Sequence, residues 1–224
     1  MTEGLVNRQQ QKLVLLISGR GSNMEAFIEA TQQGQLAADI ALVISNRPDA
    51  VGLETARAAG IATRCINHRD YDSREAFDAD LADAVGEANP DLIILAGFMR
   101  ILTPVFVQPF QGKLLNIHPS LLPKYPGLNT HQRAIDAGDT VAGATVHYVT
   151  SELDGGPPVL QAQVAISADD TADSLAAKIL PLEHQIYPAA ARWHLEGRLR
   201  LEGGRAELDG QPLPASGVLW ADQP

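Results

Sequence analysis

The chain has 224 residues, 45% hydrophobic and 20% charged, which is enough to bury a sizeable core and too apolar for the disordered class. A net charge of −10 with no Lys/Arg-rich run argues against nucleic acid or an anionic membrane as the main partner, but leaves small anions open. No apolar run reaches the roughly 18 residues of a membrane helix, and the single cysteine, Cys65, excludes an internal disulfide or a multi-cysteine zinc site.

Residues 1–11, MTEGLVNRQQQ, are polar and lack the apolar core of a secretion signal, so they read as a frayed tail. One domain is expected from residue 12 to 224, in the cytoplasm. KLVLLIS (12–18) predicts a first strand that ends at GRGSN, and NMEAFIEATQQG predicts a helix that stops at Gly34. DIALVIS (39–45) is a second strand and NRPDAVGLETARAAG a helix closed by Gly60. IATRCIN is a third strand, with Cys65 a small core residue within it. SREAFDADLADAVGEANP opens on Ser73 as a helix and ends before Pro90. DLIILAG (91–97) is a fourth strand, apolar on both faces as central parallel strands are. This β-α-β-α-β-α-β rhythm predicts an α/β fold, a Rossmann-like, mostly parallel open sheet with helices on both faces.

The second half breaks the rhythm. KLLNIH is a fifth strand, NTHQRAIDAG a helix started by Asn129 or Thr130, and GATVHYVT and PVLQAQVAI two further strands, added as antiparallel partners around SELDGGP. Residues 171–197 predict a long helix bent or interrupted at Pro181 and Pro188, and RLRLEGGRAELDG a terminal hairpin around Gly203 and Gly204.

Ligands of open α/β sheets bind outside the carboxyl ends of the strands. SGRGSN, GFMRIL, NIHPSLLP and SELDGGP are all expected there. Gly19 and Gly21 permit a tight turn, Ser22 or Asn23 can cap the next helix, and its exposed N–H groups suit one phosphate. No third glycine completes a dinucleotide fingerprint. Asn116 and His118 are two apart on a strand and project together, so an amide N–H and an imidazole N–H can serve one developing oxyanion. Pro119, Pro123 and Pro126 fix the backbone that follows. Asp154, before Gly155-Gly156-Pro157, sits in a shaped loop where a carboxylate could orient His118. With no nucleophile elbow and no metal-ligand spacing, these residues suggest transfer through a tetrahedral intermediate without metal or covalent adduct. Among other histidines, His147 reads as a packing residue, His131 as one that could reach the site, His68 and His194 as surface positions, and His184 as a partner for its neighbour Glu183.

ISGRGSN, SREAFD, LAGFMRIL, LLNIHPSLLPKYPGL and VTSELDGGP together resemble the phosphoribosylglycinamide formyltransferases of the folate-dependent formyltransferase family, from about residue 12 to the terminal hairpin. NIHPSLLP marks the wider group, and KYPGL favours the glycinamide ribonucleotide branch. The transfer-RNA formylating relatives carry a further C-terminal domain, and the hydrolase of 10-formyltetrahydrofolate normally adds an N-terminal regulatory domain. The resemblance implies a catalytic trio of Asn116, His118 and Asp154. It also implies phosphate binding by Gly21, Ser22 and Asn23, and Glu183 near the ribose. Folate would lie along Met99, Arg100, Ile101 and Leu102 with Asn116, Arg74 near its glutamate tail, and Thr150, Ser151, Glu152, Leu153 and Asp154 around the pterin. The implied partners are glycinamide ribonucleotide and 10-formyltetrahydrofolate as co-substrate, with no metal, acting as a monomer or homodimer. Asn129 stands where some members have histidine, which puts a proton relay through that position in doubt. Two other readings remain: a 10-formyltetrahydrofolate hydrolase, which needs the same trio with water as acceptor, and a phosphometabolite-binding module without catalysis.

Overall fold

The computed structural model describes residues 10–220. The first nine residues of the expected tail lie outside that range, and Gln11 already belongs to a strand. In chain order the elements are β1 (Gln11–Ile17), α1 (Ser22–Gln32), β2 (Ala38–Ser45), α2 (Gly52–Ala58), β3 (Thr63–Cys65), α3 (Arg74–Ala88), β4 (Leu92–Leu95) and α4 (Pro104–Val107). There follow β5 (Leu114–His118), α5 (Thr130–Asp136), β6 (Val141–Tyr148), β7 (Pro158–Ala165), α6 (Ala172–Leu195), β8 (Leu199–Glu202), β9 (Arg205–Leu208), β10 (Gln211–Pro212) and β11 (Val218–Leu219).

Eight strands form one sheet in the order β11-β7-β6-β5-β4-β1-β2-β3, and β8, β9 and β10 form a small antiparallel sheet. β1 pairs in parallel with both β2 and β4, so strand order reverses there and a crevice opens beyond their carboxyl ends. β5 is the hinge between two pairing modes: parallel to β4 on one side, antiparallel to β6 on the other. The predicted mostly parallel open sheet with antiparallel additions is the observed one. β10 and β11 are additions the sequence reading did not contain.

Alternation along β1 sends Leu13, Leu15 and Ile17 into one core layer and Val14 and Leu16 into the other. The first layer packs beneath α1 and α6, the second beneath α3. α6 runs unbroken through Pro181 and Pro188, contrary to the expected interruption. It starts in a reciprocal cap between Thr171 and Ser174. Its middle is clamped by Tyr187, whose hydroxyl lies 2.8 Å from the Leu115 carbonyl and 3.2 Å from that of Leu95. Its ring meets Phe27 edge-on at 5.0 Å. This packing outweighs the prolines' local effect. Cys65 is exposed, not a core residue, because β3 is the three-residue edge of the sheet.

Candidate active site

Two clusters of polar residues occupy the carboxyl edge of the parallel strands. The first is the turn after β1. Gly21 adopts a left-handed φ of 77° and is itself the N-cap of α1, with no side-chain cap. The expected capping by Ser22 or Asn23 is therefore corrected: both lie inside the helix. Their backbone N–H groups have no intramolecular acceptor among the described residues and point out of the helix start, where the macrodipole is positive. The Asn23 side chain instead donates from Nδ2 to Glu183 Oε2 at 2.8 Å, tying α1 to α6. Burial raises the Glu183 carboxyl above the usual range, and the Asn23 bond opposes that rise. His184, expected to help Glu183, faces Glu25 and Glu29 of α1 instead, and burial lowers its ring.

The second cluster lies at the end of β5. Asn116 and His118 share one face of that strand, as their two-residue spacing requires. His118 is buried between two acceptors. Its Nε2–H donates to the Tyr125 carbonyl at 2.8 Å, and its Nδ1 faces Asp154 Oδ2 at 3.5 Å, a longer ionic contact. A ring with hydrogen on both nitrogens satisfies both. Asp154 Oδ2 also accepts the Gly127 N–H at 2.8 Å. Asp154, Tyr125 and Asn129 are three of the five non-glycine residues with positive φ among the described residues.

Asp154 reaches this point by an unexpected route. β6 is antiparallel to β5, so the β6–β7 connection leaves the sheet beside Leu114, where Val149 N–H donates to the Leu114 carbonyl. It is not at the carboxyl edge of β5, as expected. The loop doubles back over the sheet to bring Asp154 to His118. Gly156 makes this possible: a Cβ there would lie 1.8 Å from the Tyr148 carbonyl oxygen.

His147 is the residue that the sequence reading missed. In the β5–β6 register it stands opposite Asn116. Its Nδ1–H donates to the Tyr148 carbonyl at 2.9 Å, which leaves the Nε2 lone pair to accept from Asn116 Nδ2 at 3.1 Å. Burial pushes the ring down to about 4, so it is neutral near pH 7. Its 3.9 Å approach to Asp154 Oδ1 is therefore proximity, not an ion pair. One Asn116 hydrogen is fixed by His147, and the other has no acceptor among the described residues.

The 119–125 loop is held by more than its prolines. Thr145 Oγ1 donates to the Ser120 carbonyl at 2.6 Å and accepts the Leu122 N–H at 3.0 Å. Gln161 Nε2 donates to the Leu122 carbonyl at 2.9 Å. These buried bonds anchor the loop, and through Tyr125 the His118 ring, to β6 and β7.

A narrow slot of about 90 Å³ joins Asn116, His147 and Asp154 to Arg100, Ile101 and Leu102 on one wall and Thr150, Ser151, Glu152 and Leu153 on the other. Leu95, Phe98 and Val149 complete its lining. Met99 lies outside it, 67% exposed. Arg74 is also outside, donating to the Ile101 carbonyl from behind that wall. His131 has no hydrogen bond to the trio and lines a separate apolar cavity of about 300 Å³ with Leu121, Pro123 and Tyr125. Burial, and then the nearby His118 charge, lower its ring. His68 and His194 are not free surface residues. His68 is bonded to Asn46, and His194 Nδ1 lies 3.1 Å from the Tyr148 hydroxyl. No group of three or more His, Cys, Asp or Glu side chains among the described residues is placed to hold a metal ion, and no helix there is long and apolar enough to cross a membrane.

With this geometry in place, the comparisons with known proteins agree on one group. The formyl transferase family model matches residues 11–191. A phosphoribosylglycinamide formyltransferase of Escherichia coli is 50% identical over 205 residues, 92% of this chain and 97% of that protein. The solved structure of a phosphoribosylglycinamide formyltransferase from Coxiella burnetii superposes with a TM-score of 0.91 at 47% identity, covering 95% of this chain and all of the other. That of a glycinamide ribonucleotide transformylase from Symbiobacterium toebii gives 0.88 at 43% identity, covering 92% and 98%. A bounded phosphate-type turn, an amide–imidazole–carboxylate cluster and this likeness along nearly the whole length lead to one conclusion: the chain belongs to the formyl transferase family, among its phosphoribosylglycinamide formyltransferases.

Proposed function

We propose that the chain transfers the formyl group of 10-formyltetrahydrofolate to the amine of glycinamide ribonucleotide, giving the formylated ribonucleotide and tetrahydrofolate in purine synthesis. The observation that carries the site assignment is the gathering of Asn116, His118 and Asp154 beside a two-walled slot, with Asp154 facing His118 at 3.5 Å and Asn116 oriented by His147. The N–H groups of Gly21, Ser22 and Asn23 take the substrate phosphate, with Glu183 at the ribose. The folate lies between the walls formed by residues 100–102 and 150–154, with Met99 at the rim and Arg74 toward its glutamate tail.

The amine, in its neutral form, attacks the formyl carbon and the carbonyl oxygen gains negative charge. The free Asn116 N–H donates to that oxygen, and a protonated His118, whose Nε2–H stays on the Tyr125 carbonyl, shares with it the Nδ1–H that Asp154 holds only at 3.5 Å. Asp154 holds His118 and, through water, moves the proton from the attacking amine toward the departing N10 nitrogen. His147 is a positioning residue: it fixes which Asn116 hydrogen remains available. An amine of this kind is deprotonated near pH ~8, so turnover falls in acid as the substrate is protonated.

Residues 12–224 act as one domain, supported by a single sheet that draws strands from both halves. The net charge of −10 argues against nucleic acid or an anionic membrane as partner and leaves small anionic substrates open; we place the protein in the cytoplasm, as monomer or homodimer. The test is tetrahydrofolate release from 10-formyltetrahydrofolate with and without glycinamide ribonucleotide. Release that requires the ribonucleotide and yields its formylated product is the expected result. Release without it would make the protein a hydrolase, and ligand binding without release a non-catalytic module.

A further inference from the structure

Residues 46–52, NRPDAVG, connect β2 to α2 and touch neither wall of the slot. Yet both ends of this segment grip the turn after β1. At one end Asn46, 3% exposed, accepts the Ser18 hydroxyl hydrogen on Oδ1 at 2.6 Å. The same Ser18 oxygen accepts the Met99 N–H at 2.7 Å. Ser18 is itself 4% exposed and both its hydrogen and a lone pair are thereby used. His68 holds Asn46 in turn, its Nδ1–H donating to the Asn46 carbonyl at 2.8 Å.

At the other end Gly52 N–H donates to the Gly19 carbonyl at 3.1 Å. A Cβ on Gly52 would lie 2.7 Å from the Arg20 carbonyl oxygen and 2.7 Å from Ile17 Cδ1. Only glycine lets the turn approach this closely. Between its ends the segment is stapled to itself, through Ser45 Oγ with Arg47 N–H and carbonyl and through the Arg47–Asp49 pair.

We propose that residues 46–52 are a brace that sets both substrate loops independently, Asn46 acting through the Ser18 hydroxyl on the 97–102 loop and Gly52 acting directly on the Gly19 and Arg20 carbonyls of the 19–23 turn. Ser18, Asn46 and Gly52 are positioning residues. The consequence is a separation of effects. Removing the Ser18 hydroxyl leaves the Met99 N–H and Asn46 Oδ1 without partners and loosens the folate wall only. Adding a methyl at Gly52 displaces the Arg20 carbonyl and disturbs the N–H groups aimed at phosphate only.

The inference rests on the loop assignments proposed above, and the experiment keeps the two separable. Ser18→Ala, Ser18→Thr and Gly52→Ala are compared with wild type by calorimetric Kd for 5-formyltetrahydrofolate and ribose 5-phosphate, and by KM for both substrates. Ser18→Ala is expected to weaken the folate about tenfold and the phosphate less than about twofold, with kcat unchanged. Ser18→Thr, which keeps the hydroxyl, stays near wild type. Gly52→Ala shows the reverse pattern. Equal weakening of both ligands by either variant, or no weakening by Ser18→Ala, overturns the brace. Should Gly52→Ala fail to fold, the Ser18 pair decides alone. A wild type that binds both ligands but transfers nothing would overturn the functional reading, while the Kd values still decide the brace.

Discussion

The turn after β1 and the end of β5 face the same crevice but work in opposite ways. The turn offers backbone N–H groups, and what it requires is glycine, at Gly21 for a left-handed φ and at Gly52 for the close approach of the next segment. The end of β5 offers side chains, and each has its direction set by another group: His118 by the half-buried Tyr125 and Asp154, Asn116 by the buried His147. Recognition by backbone tolerates changes in side chain as long as the path of the chain is kept. Chemistry by side chain depends on partners recruited from distant segments, and fails when any of them is lost.

Variants can break this contrast from either side. The largest effect is expected from His118→Ala, which removes a charged donor to the oxyanion. Turnover should fall by roughly 10²–10³ while both ligands still bind, as single-turnover kinetics and calorimetry would show. A loss of only a few-fold would exclude His118 from the chemistry. His147→Phe comes next. It leaves Asn116 unoriented without touching the reacting atoms, so kcat should drop about tenfold with KM for both substrates nearly unchanged. An unaltered kcat would make His147 the packing residue that its sequence context suggests. On the backbone side, Gly21→Ala forces a side chain into a left-handed conformation, at a cost of about 1–2 kcal/mol, with a Cβ 3.3 Å from Met24 Cε. The ribonucleotide KM should rise about fivefold and the folate KM stay put. Equal changes in both would erase the contrast.

The smallest effect concerns stability in acid. The His147 ring takes its proton near 6.5 when unfolded and near 4 when folded. The unfolded chain therefore binds more protons across that window, and stability is lost as pH falls from about 6.5 toward 4. Burial lowers the His131, His184 and His194 rings too, and they add to the same trend. The Glu183 carboxyl, raised by burial, works the other way and favours the fold at the acid end. His147→Phe should lessen the drop in thermal midpoint between pH 7 and pH 5 by about 5 °C relative to wild type. An identical drop in both proteins would show that the ring titrates normally in the fold.

Much of the first half was legible because β1, β2 and β4 are apolar runs closed by glycine turns, with helical spacing between them. Cys65 was misread because nothing local says that β3 is an edge strand, and burial follows from position in the sheet. β11 was invisible because two residues carry no periodicity. In the second half, Asn116 and His118 could be paired from spacing alone, since both lie on one strand. His147 could not, because its partnership depends on the register of β5 against β6, which the sequence does not state. The fold-back of residues 149–157 was hidden for the same reason. A clue existed in Gly155-Gly156, which permits a close approach but does not say to what. The long helix ran through its prolines because Tyr187 and the buried face around it hold it against two strands.

The left-handed backbone at Tyr125, Asn129 and Asp154 has a bearing on how this enzyme could be engineered. A glycine at each of these positions would relax the chain and be a natural choice in a search for greater heat resistance. At Asp154 it would delete the carboxylate, and at Tyr125 it would soften the carbonyl that receives His118. The positions where the fold has most to gain are thus ones where turnover has most to lose, and selection for durability alone would drift away from catalysis at this site first.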